Sequence, residues 1–219
     1  MDQSIVQREI VVQDLTQIAI VHQAAFPDSA LTGLGRQTIQ RYYYWLLSGS
    51  HPLIIARGVE VDGKIAGFIF AGKFQGATTG FVLRNKFFLA FSVFFHIGLL
   101  RKPIFRRRLR TGLRLLRYRL LKKPLPRAEI SGHPESLKFM HIPYCSVLAI
   151  AVDPNQQREG LGWSLMKYVE RIAHEKHYLQ MRLTVFEHNK SAIQFYQKHG
   201  YQVFYQDGEY LVLGKNLVH

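Results

Sequence analysis

The chain has one cysteine in 219 residues, Cys145, so no disulfide forms within it, and the composition fits a reducing compartment. Acidic residues are scarce: 15 Asp and Glu stand against 29 Lys and Arg, for a net charge of +14. That imbalance calls for a polyanionic neighbour, whether nucleic acid, an anionic membrane or an acidic substrate. The N-terminus, MDQSIVQREI, lacks a positive stretch followed by an apolar core, so no signal peptide is expected there. The most apolar stretch, residues 87–100 (FFLAFSVFFHIGLL), falls short of the roughly 20 residues that cross a bilayer. There are no repeats or low-complexity tracts. His174 and His177 sit at helical spacing, but no third or fourth ligand accompanies them, and no metal site is expected. What is present is an apolar share of 47% in a chain long enough for one well-buried domain over residues 1–219.

In order along the chain, residues 8–12 read as a first strand. A helix follows from Asp14, as N-cap, to Ala25, with Leu15, Ile18, Ala19, Val21 and His22 at helical spacing. Phe26-Pro27-Asp28-Ser29 breaks it, and a loop over 31–35 leads to a second helix over about 37–47. Residues 53–61 and 64–71 are strand patterns joined at Asp62-Gly63, a strong hairpin signal. Residues 146–152 form an apolar, β-branched run ended by Asp153-Pro154, which reads as a buried strand. A helical pattern runs from Trp163 to about Lys176, with Leu165, Val169, Ile172 and Ala173 on one face. Residues 181–185 alternate as a strand, 190–198 form a helix opened by Asn189 and closed by Gly200, and 201–205 with 209–213 form a closing hairpin.

Between these parts lies a segment of unusual composition, residues 73–137. Its first half holds the apolar 87–100 run. Residues 101–127 then contain twelve Lys or Arg and no acidic residue. Phe105, Leu109, Leu113, Leu116 and Leu120 recur at helical intervals among Arg106, Arg107, Arg110, Arg114 and Arg117, which describes a basic amphipathic helix. Three roles fit: a peripheral anchor laying residues 87–123 on an anionic membrane, a cap gripping an anionic acceptor, or nucleic-acid or protein binding. The last is the least favoured, because few stacking aromatics interleave the arginines.

The chemistry-bearing signals lie in residues 146–201. After the 146–152 strand comes Gln157-Arg158-Glu159-Gly160-Leu161-Gly162, followed by the Trp163 helix. A strand, a glycine-bearing turn and a helix start make an anion site, because their N–H groups lack intrahelical partners and the helix dipole favours negative charge. Gly160 and Gly162 let the main chain approach a phosphate, and Arg158 adds a cation. The spacing is neither G-x-G-x-x-G nor G-x-x-x-x-G-K-[ST], so the dinucleotide and P-loop readings are excluded. Further on, Asn189, Ala192, Tyr196, Gly200 and Tyr201 fit N-x-x-A-x-x-x-Y-x-x-x-G-[FY]. With Q-x-x-G-x-G, this closely resembles the GNAT superfamily of acyl-coenzyme-A-dependent N-acetyltransferases, strongly over 146–214 and loosely over the first seventy residues.

The resemblance implies an α/β fold: a mixed, mostly antiparallel sheet splayed between its fourth and fifth strands, with helices on both faces and a helical insertion after the third strand. It implies acetyl transfer from acetyl-CoA to a primary amine. Gln157, Arg158, Glu159, Gly160, Leu161, Gly162 and the N–H of Trp163 would cradle the coenzyme A pyrophosphate. The pantetheine arm would pair along Ile150, Ala151 and Val152 as an added strand, and Asn189 would bond its amide while also capping a helix. Tyr196 would be the general acid, since a phenol near pKa 10 can donate to a thiolate whose conjugate acid lies near 8.5; the plain alternative is a packed helix aromatic. Many GNAT members carry a Glu on the fourth strand where this chain has Ser146, and residues 144–152 hold no carboxylate. Proton removal then falls to Ser146, Tyr144, His141, His133 or Glu135, to a water chain, or to an amine already neutral. Asp28 and Ser29 are candidate acceptor contacts.

The loop FPDSALTGLG with the basic insert is also similar to a GNAT subgroup associated with bacterial surface-polysaccharide synthesis. This makes an amino sugar on a nucleotide or lipid carrier the leading small-molecule acceptor, with protein N-termini, ribosomal proteins and aminoglycosides as other amines. A non-catalytic acyl-coenzyme-A-binding module is the rival reading. A cytoplasmic chain at the inner membrane face and a homodimer complete the expectations.

Overall fold

The computed structural model describes residues 4–74, 77–95 and 142–217. Seven strands form one sheet: β1 (Ile5–Glu9), β2 (Leu53–Val61), β3 (Lys64–Lys73), β4 (Tyr144–Val152), β5 (Gln180–Phe186), β6 (Gln202–Asp207) and β7 (Tyr210–Asn216). Their order is β1-β2-β3-β4-β5-β7-β6, antiparallel throughout except for the parallel β4–β5 pair. The helices are α1 (Leu15–Ala25), α2 (Ala30–Gly33), α3 (Arg36–Ser48), α4 (Ala77–Arg84), α5 (Lys86–Phe95), α6 (Leu161–Glu175) and α7 (Lys190–Lys198).

Central strand β3 explains the layering. Its run IAGFIFAG is buried on both faces, as an inner strand covered by two helix layers must be. Phe68 and Phe70 pack with Ile39 and Tyr43 under α1 and α3, whereas Ile69 and Ala71 pack with Leu165, Val169 and Met181 under α6. Each such fully buried side chain contributes roughly 1.5–3 kcal/mol. The expected α/β architecture with helices on both faces is present.

Four local expectations shift. The first strand lies at Ile5–Glu9, earlier than residues 8–12. Arg8 bonds Asp14 at 2.7 Å and Glu60 at 2.6 Å, and Asp14 also accepts the Val11 N–H at 2.8 Å. That clasp draws Val12–Asp14 into a 3-10 turn and takes the Asp14 side chain, so Asp14 precedes α1 without capping it through its carboxylate. Within the loop expected at 31–35, Ser29 accepts the Thr32 N–H and starts the single turn α2. Helix α6 starts at Leu161, ahead of Trp163, because Gly160 adopts the left-handed conformation (φ 78°) and serves as its N-cap.

The splay is where the site forms. Strands β4 and β5 pair only at Tyr144–Gln180, Cys145–Met181 and Ser146–Arg182, and then diverge. On the other edge of β4, Phe70 faces Ala149 while Ala71 faces Val147, so Leu148 is the extra residue of a bulge that bends the strand at this point.

Candidate active site

Beyond Ser146, one edge of β4 has no strand partner among the described residues. Asp153 N–H donates to Ala66 O at 2.7 Å, toward β3. Alternation along an antiparallel pair therefore turns the main-chain groups of Ile150 and Val152 to the opposite edge, facing the gap. The Gln157 side chain confirms that direction by donating to Val152 O at 3.2 Å. This bond ties the motif glutamine, and the turn that follows, to the end of the open edge.

The turn has the form that an anion cradle requires. Arg158 (φ 72°) and Gly160 (φ 78°) are both left-handed, and residues 157–160 are exposed. For Arg158 this conformation is strained, costing about 1–2 kcal/mol. Its guanidinium makes no ion pair among the described residues. The first intrahelical bond of α6 runs from Ser164 N–H to Gly160 O, which leaves the N–H groups of Leu161, Gly162 and Trp163 without intrahelical partners. A Cβ added at Gly160 would meet nothing within 4 Å. Just before the turn, Gln156 Oε1 is buried with no partner among the described residues. Open main-chain donors, free space and a positive helix end suit the diphosphate of coenzyme A.

The two sequence motifs meet in space. A Cβ at Gly162 would lie 3.7 Å from both the Phe195 ring and Val152 Cγ2, so the start of α6, the end of β4 and α7 converge there. The Trp163 ring stacks on His199 at 3.9 Å and 6°, joining the first turn of α6 to the end of α7. Tyr196 projects into the core shared with Leu161, Leu165 and Val147, edge-on to Tyr201 at 5.7 Å and Phe195 at 5.2 Å. Burial raises its phenol well above the ordinary value, so it stays protonated at any working pH. Asn189 accepts the Ala192 N–H at 3.2 Å and caps α7, as the helix N-cap reading has it.

The proposed proton acceptors separate. Tyr144 and Ser146 share one face of β4 at the mouth of the splay, and His141, His133 and Glu135 lie outside the described residues, as does the basic segment. Opposite Ser146 in register stands Arg182, which the sequence reading passed over. Its side chain is buried, with Nε and Nη2 donating to Gln180 Oε1 at 3.1 and 2.8 Å and the guanidinium 4.0 Å from the Tyr144 ring centre. Gln180 in turn donates to Asn216 at 2.8 Å. Burial pulls the Arg182 pKa down, but the group remains a cation. The alternation of QMRLTVF, with Gln180, Arg182 and Thr184 on one side and Met181, Leu183 and Val185 on the other, held that signal.

Asp28 is exposed on the α1–α2 loop, whereas the Ser29 hydroxyl is committed within it. Ser29 Oγ accepts the Thr32 N–H at 3.0 Å and donates to Thr32 Oγ1, which itself donates to Phe26 O. The 3.1 Å contact from His22 Nε2 to Ser29 Oγ must then be a donation from the histidine. His22 Nδ1 is left to accept from the Tyr43 hydroxyl at 2.8 Å. His22 is therefore a brace beneath the loop, not a base for Ser29. No group of three or more potential metal ligands occurs among the described residues.

The Acetyltransferase (GNAT) family model matches residues 128–201. Over that span the chain is similar to the members of this family. The matched span runs from before β4 through the glycine turn to Tyr201, the region where the open edge and both motifs converge. Among solved structures, the PaiA N-acetyltransferase from Thermoplasma acidophilum, in complex with coenzyme A, is 15% identical with a TM-score of 0.57, over 97% of this chain and 99% of that one. The ribosomal-protein-S18-alanine N-acetyltransferase from Escherichia coli is 13% identical with a TM-score of 0.54, over 99% and 96%. A putative phosphinothricin N-acetyltransferase is 16% identical with a TM-score of 0.54, over 99% and 100%. At these identities the likeness is one of fold. No curated protein matches the chain.

Proposed function

We propose that this GNAT-type N-acetyltransferase moves the acetyl group of acetyl-CoA to an amine of low basicity, with an amino sugar as the leading acceptor. The observation that carries the reading is the register of Ser146 with Arg182 at the splay: a hydroxyl stands where many relatives have a carboxylate, and a buried guanidinium lies on the strand opposite. A cation beside the acceptor disfavours its ammonium form. An amine flanked by hydroxyls and a ring acetal, or a peptide α-amino group near pKa 8, sheds its proton there more readily than a lysine side chain near 10.4.

Acetyl-CoA supplies the activated thioester. The N–H groups of Leu161, Gly162 and Trp163 with Arg158 would hold its diphosphate, and the free edge at Ile150 and Val152 would pair with its amide-bearing arm. An N–H on that edge would donate to the thioester oxygen as negative charge develops. Tyr196 would deliver a proton to the departing sulfur. Support comes from the convergence of these elements on one end of the sheet and from the coenzyme A complex of the PaiA structure.

The E. coli neighbour is named for a protein α-amine, so a peptide N-terminus is the second reading. Coenzyme A release over a panel of amino sugars, N-terminal peptides and lysine analogues tests both. The amino sugars should lead, and the ascending limb of kcat/KM against pH should move with the basicity of each acceptor. A limb fixed at one pH for every acceptor would reveal a titrating base on the protein and overturn the neutral-amine reading.

A further inference from the structure

Among the described residues, helices α4 and α5 form a two-helix projection held on one side by α3. Trp45 on α3 donates its indole N–H to Ala77 O at 3.1 Å, Tyr42 meets Phe81 edge-on at 5.3 Å, and the Arg41 guanidinium lies 4.2 Å from the Phe88 ring centre. Phe81 is buried by these contacts. The other side carries Val82, Leu83 and Phe87, 45%, 44% and 81% exposed, with Leu83 and Phe87 four residues apart. Phe91, the next turn along, is 61% exposed. A phenylalanine held that far into solvent on a fixed helix is not a core residue short of packing. It is presented.

Charge decides what it is presented to. Arg84 and Lys86 follow the stripe in sequence, the Arg84 guanidinium 5.8 Å from the Trp45 ring centre at its edge toward α3 and Lys86 Nζ 5.0 Å from the Phe87 ring centre. From Gly63 to Ala128 the sequence contains no Asp or Glu. Protein-facing apolar patches carry mixed charge at the rim; aromatic side chains flanked by cations alone suit the boundary between anionic headgroups and acyl chains, where the ring enters the apolar layer and the cations stay at the phosphates. No helix among the described residues is long and apolar enough to cross a membrane, so the fit is to a surface and not to a span.

We infer that the Leu83–Phe87 face of α4 and α5 docks the protein on the surface of an anionic lipid bilayer, Phe87 entering it and Arg84 and Lys86 engaging headgroup phosphates. The inference stands apart from the acetyl acceptor. It would bring α3, whose inner face packs on β3, alongside the membrane, where a lipid-carried acceptor would be within reach.

The test is flotation of the full chain with vesicles of phosphatidylcholine alone or mixed with phosphatidylglycerol. Wild type should bind the mixed vesicles and not the neutral ones, and salt should weaken the binding. The double variant Leu83→Ala/Phe87→Ala should bind the mixed vesicles about tenfold more weakly, and Arg84→Gln/Lys86→Gln should also weaken binding by about tenfold or more. Both variants should keep wild-type coenzyme A affinity, and Leu83→Ala/Phe87→Ala should also keep wild-type thermal stability, because those two side chains lie outside the core and the glycine turn. Three results would each overturn the inference: equal binding to both vesicle types, unchanged binding by the Leu83/Phe87 variant, or a marked loss of stability without lipid. The second would assign vesicle binding to the arginine-rich segment alone. The third would mean that the stripe is covered by the chain itself.

Discussion

Tyr196 shows how burial and chemistry combine in one side chain. Its phenol is raised by desolvation, which on its own would make it a poorer acid. On the proposed mechanism the leaving thiol would share that dry region, where burial would raise it too, as it pushes the Cys145 thiol of the same core up to about 12. Donor and acceptor would then move in the same direction. Tyr196→Phe retains the ring and its edge contacts, so fold and coenzyme A affinity should persist while kcat falls by about 10²–10⁴. Unchanged kcat in that variant would reduce Tyr196 to a packing residue. His22 makes a different residue-scale prediction. Burial lowers its pKa from 6.5 to about 4, so the folded chain binds fewer protons than the unfolded chain between those values. The neutral brace to Tyr43 and Ser29 contributes fully above pH 6.5, and that stability drains away as pH falls toward 4, by about 3 kcal/mol at most. Denaturant midpoints measured across this window should decline in wild type and flatten in His22→Asn.

At the scale of elements, the register of β3 against β4 fixes where the splay begins, and Gly72 sets that register. It lies opposite Ser146 with φ at 146°, and a Cβ there would come within 2.2 Å of Leu53 O, a main-chain atom that cannot swing away. Gly72→Ala should therefore destabilise the protein by about 1–3 kcal/mol and lower activity, because the strain falls on the β3–β4 pairing next to the point where Ser146 stands in register with Arg182. Calorimetry alongside a coenzyme A release assay would show both losses; a neutral result would mean that the strand relaxes at no cost. How far these elements were legible follows from the kind of signal each one carries. Strands β2 and β3, helix α7 and the Asp62-Gly63 turn were readable from local pattern alone, because apolar run, cap and turn residue agree there. The displacement of β1 was not readable, since it depends on Arg8 reaching Glu60 on another strand. The left-handed cap at Gly160 was half visible: the glycine was there to see, but the early start of α6 is a main-chain fact. Arg182 was hidden because a polar residue on an alternating strand reads as solvent-facing until its neighbours close over it.

For the whole molecule, the sheet is nearly two sheets. β1 to β4 with α1 and α3 form one half and β5 to β7 the other; three residue pairs join them, as does α6, which packs on β2, β3 and β4 while its Glu170 accepts from Lys215 of β7 at 2.7 Å. A ligand that lies along the open edge of β4 and on the start of α6 replaces pairing that the sheet itself lacks. Coenzyme A should stabilise the fold accordingly: at a hundredfold excess over its Kd the gain is about 2.7 kcal/mol, which for a chain of this size raises Tm by roughly 5–10 °C. Adenosine, without the diphosphate, should leave Tm nearly unmoved. Gly160→Ala separates the cradle from the edge. Its Cβ meets empty space, so the unliganded protein should lose only about 1 kcal/mol from the left-handed strain. The same Cβ occupies the space a phosphate would need, so the coenzyme A shift should shrink far more than the unliganded Tm. If both fell in proportion, or if adenosine matched coenzyme A, the diphosphate would not be bound at this turn.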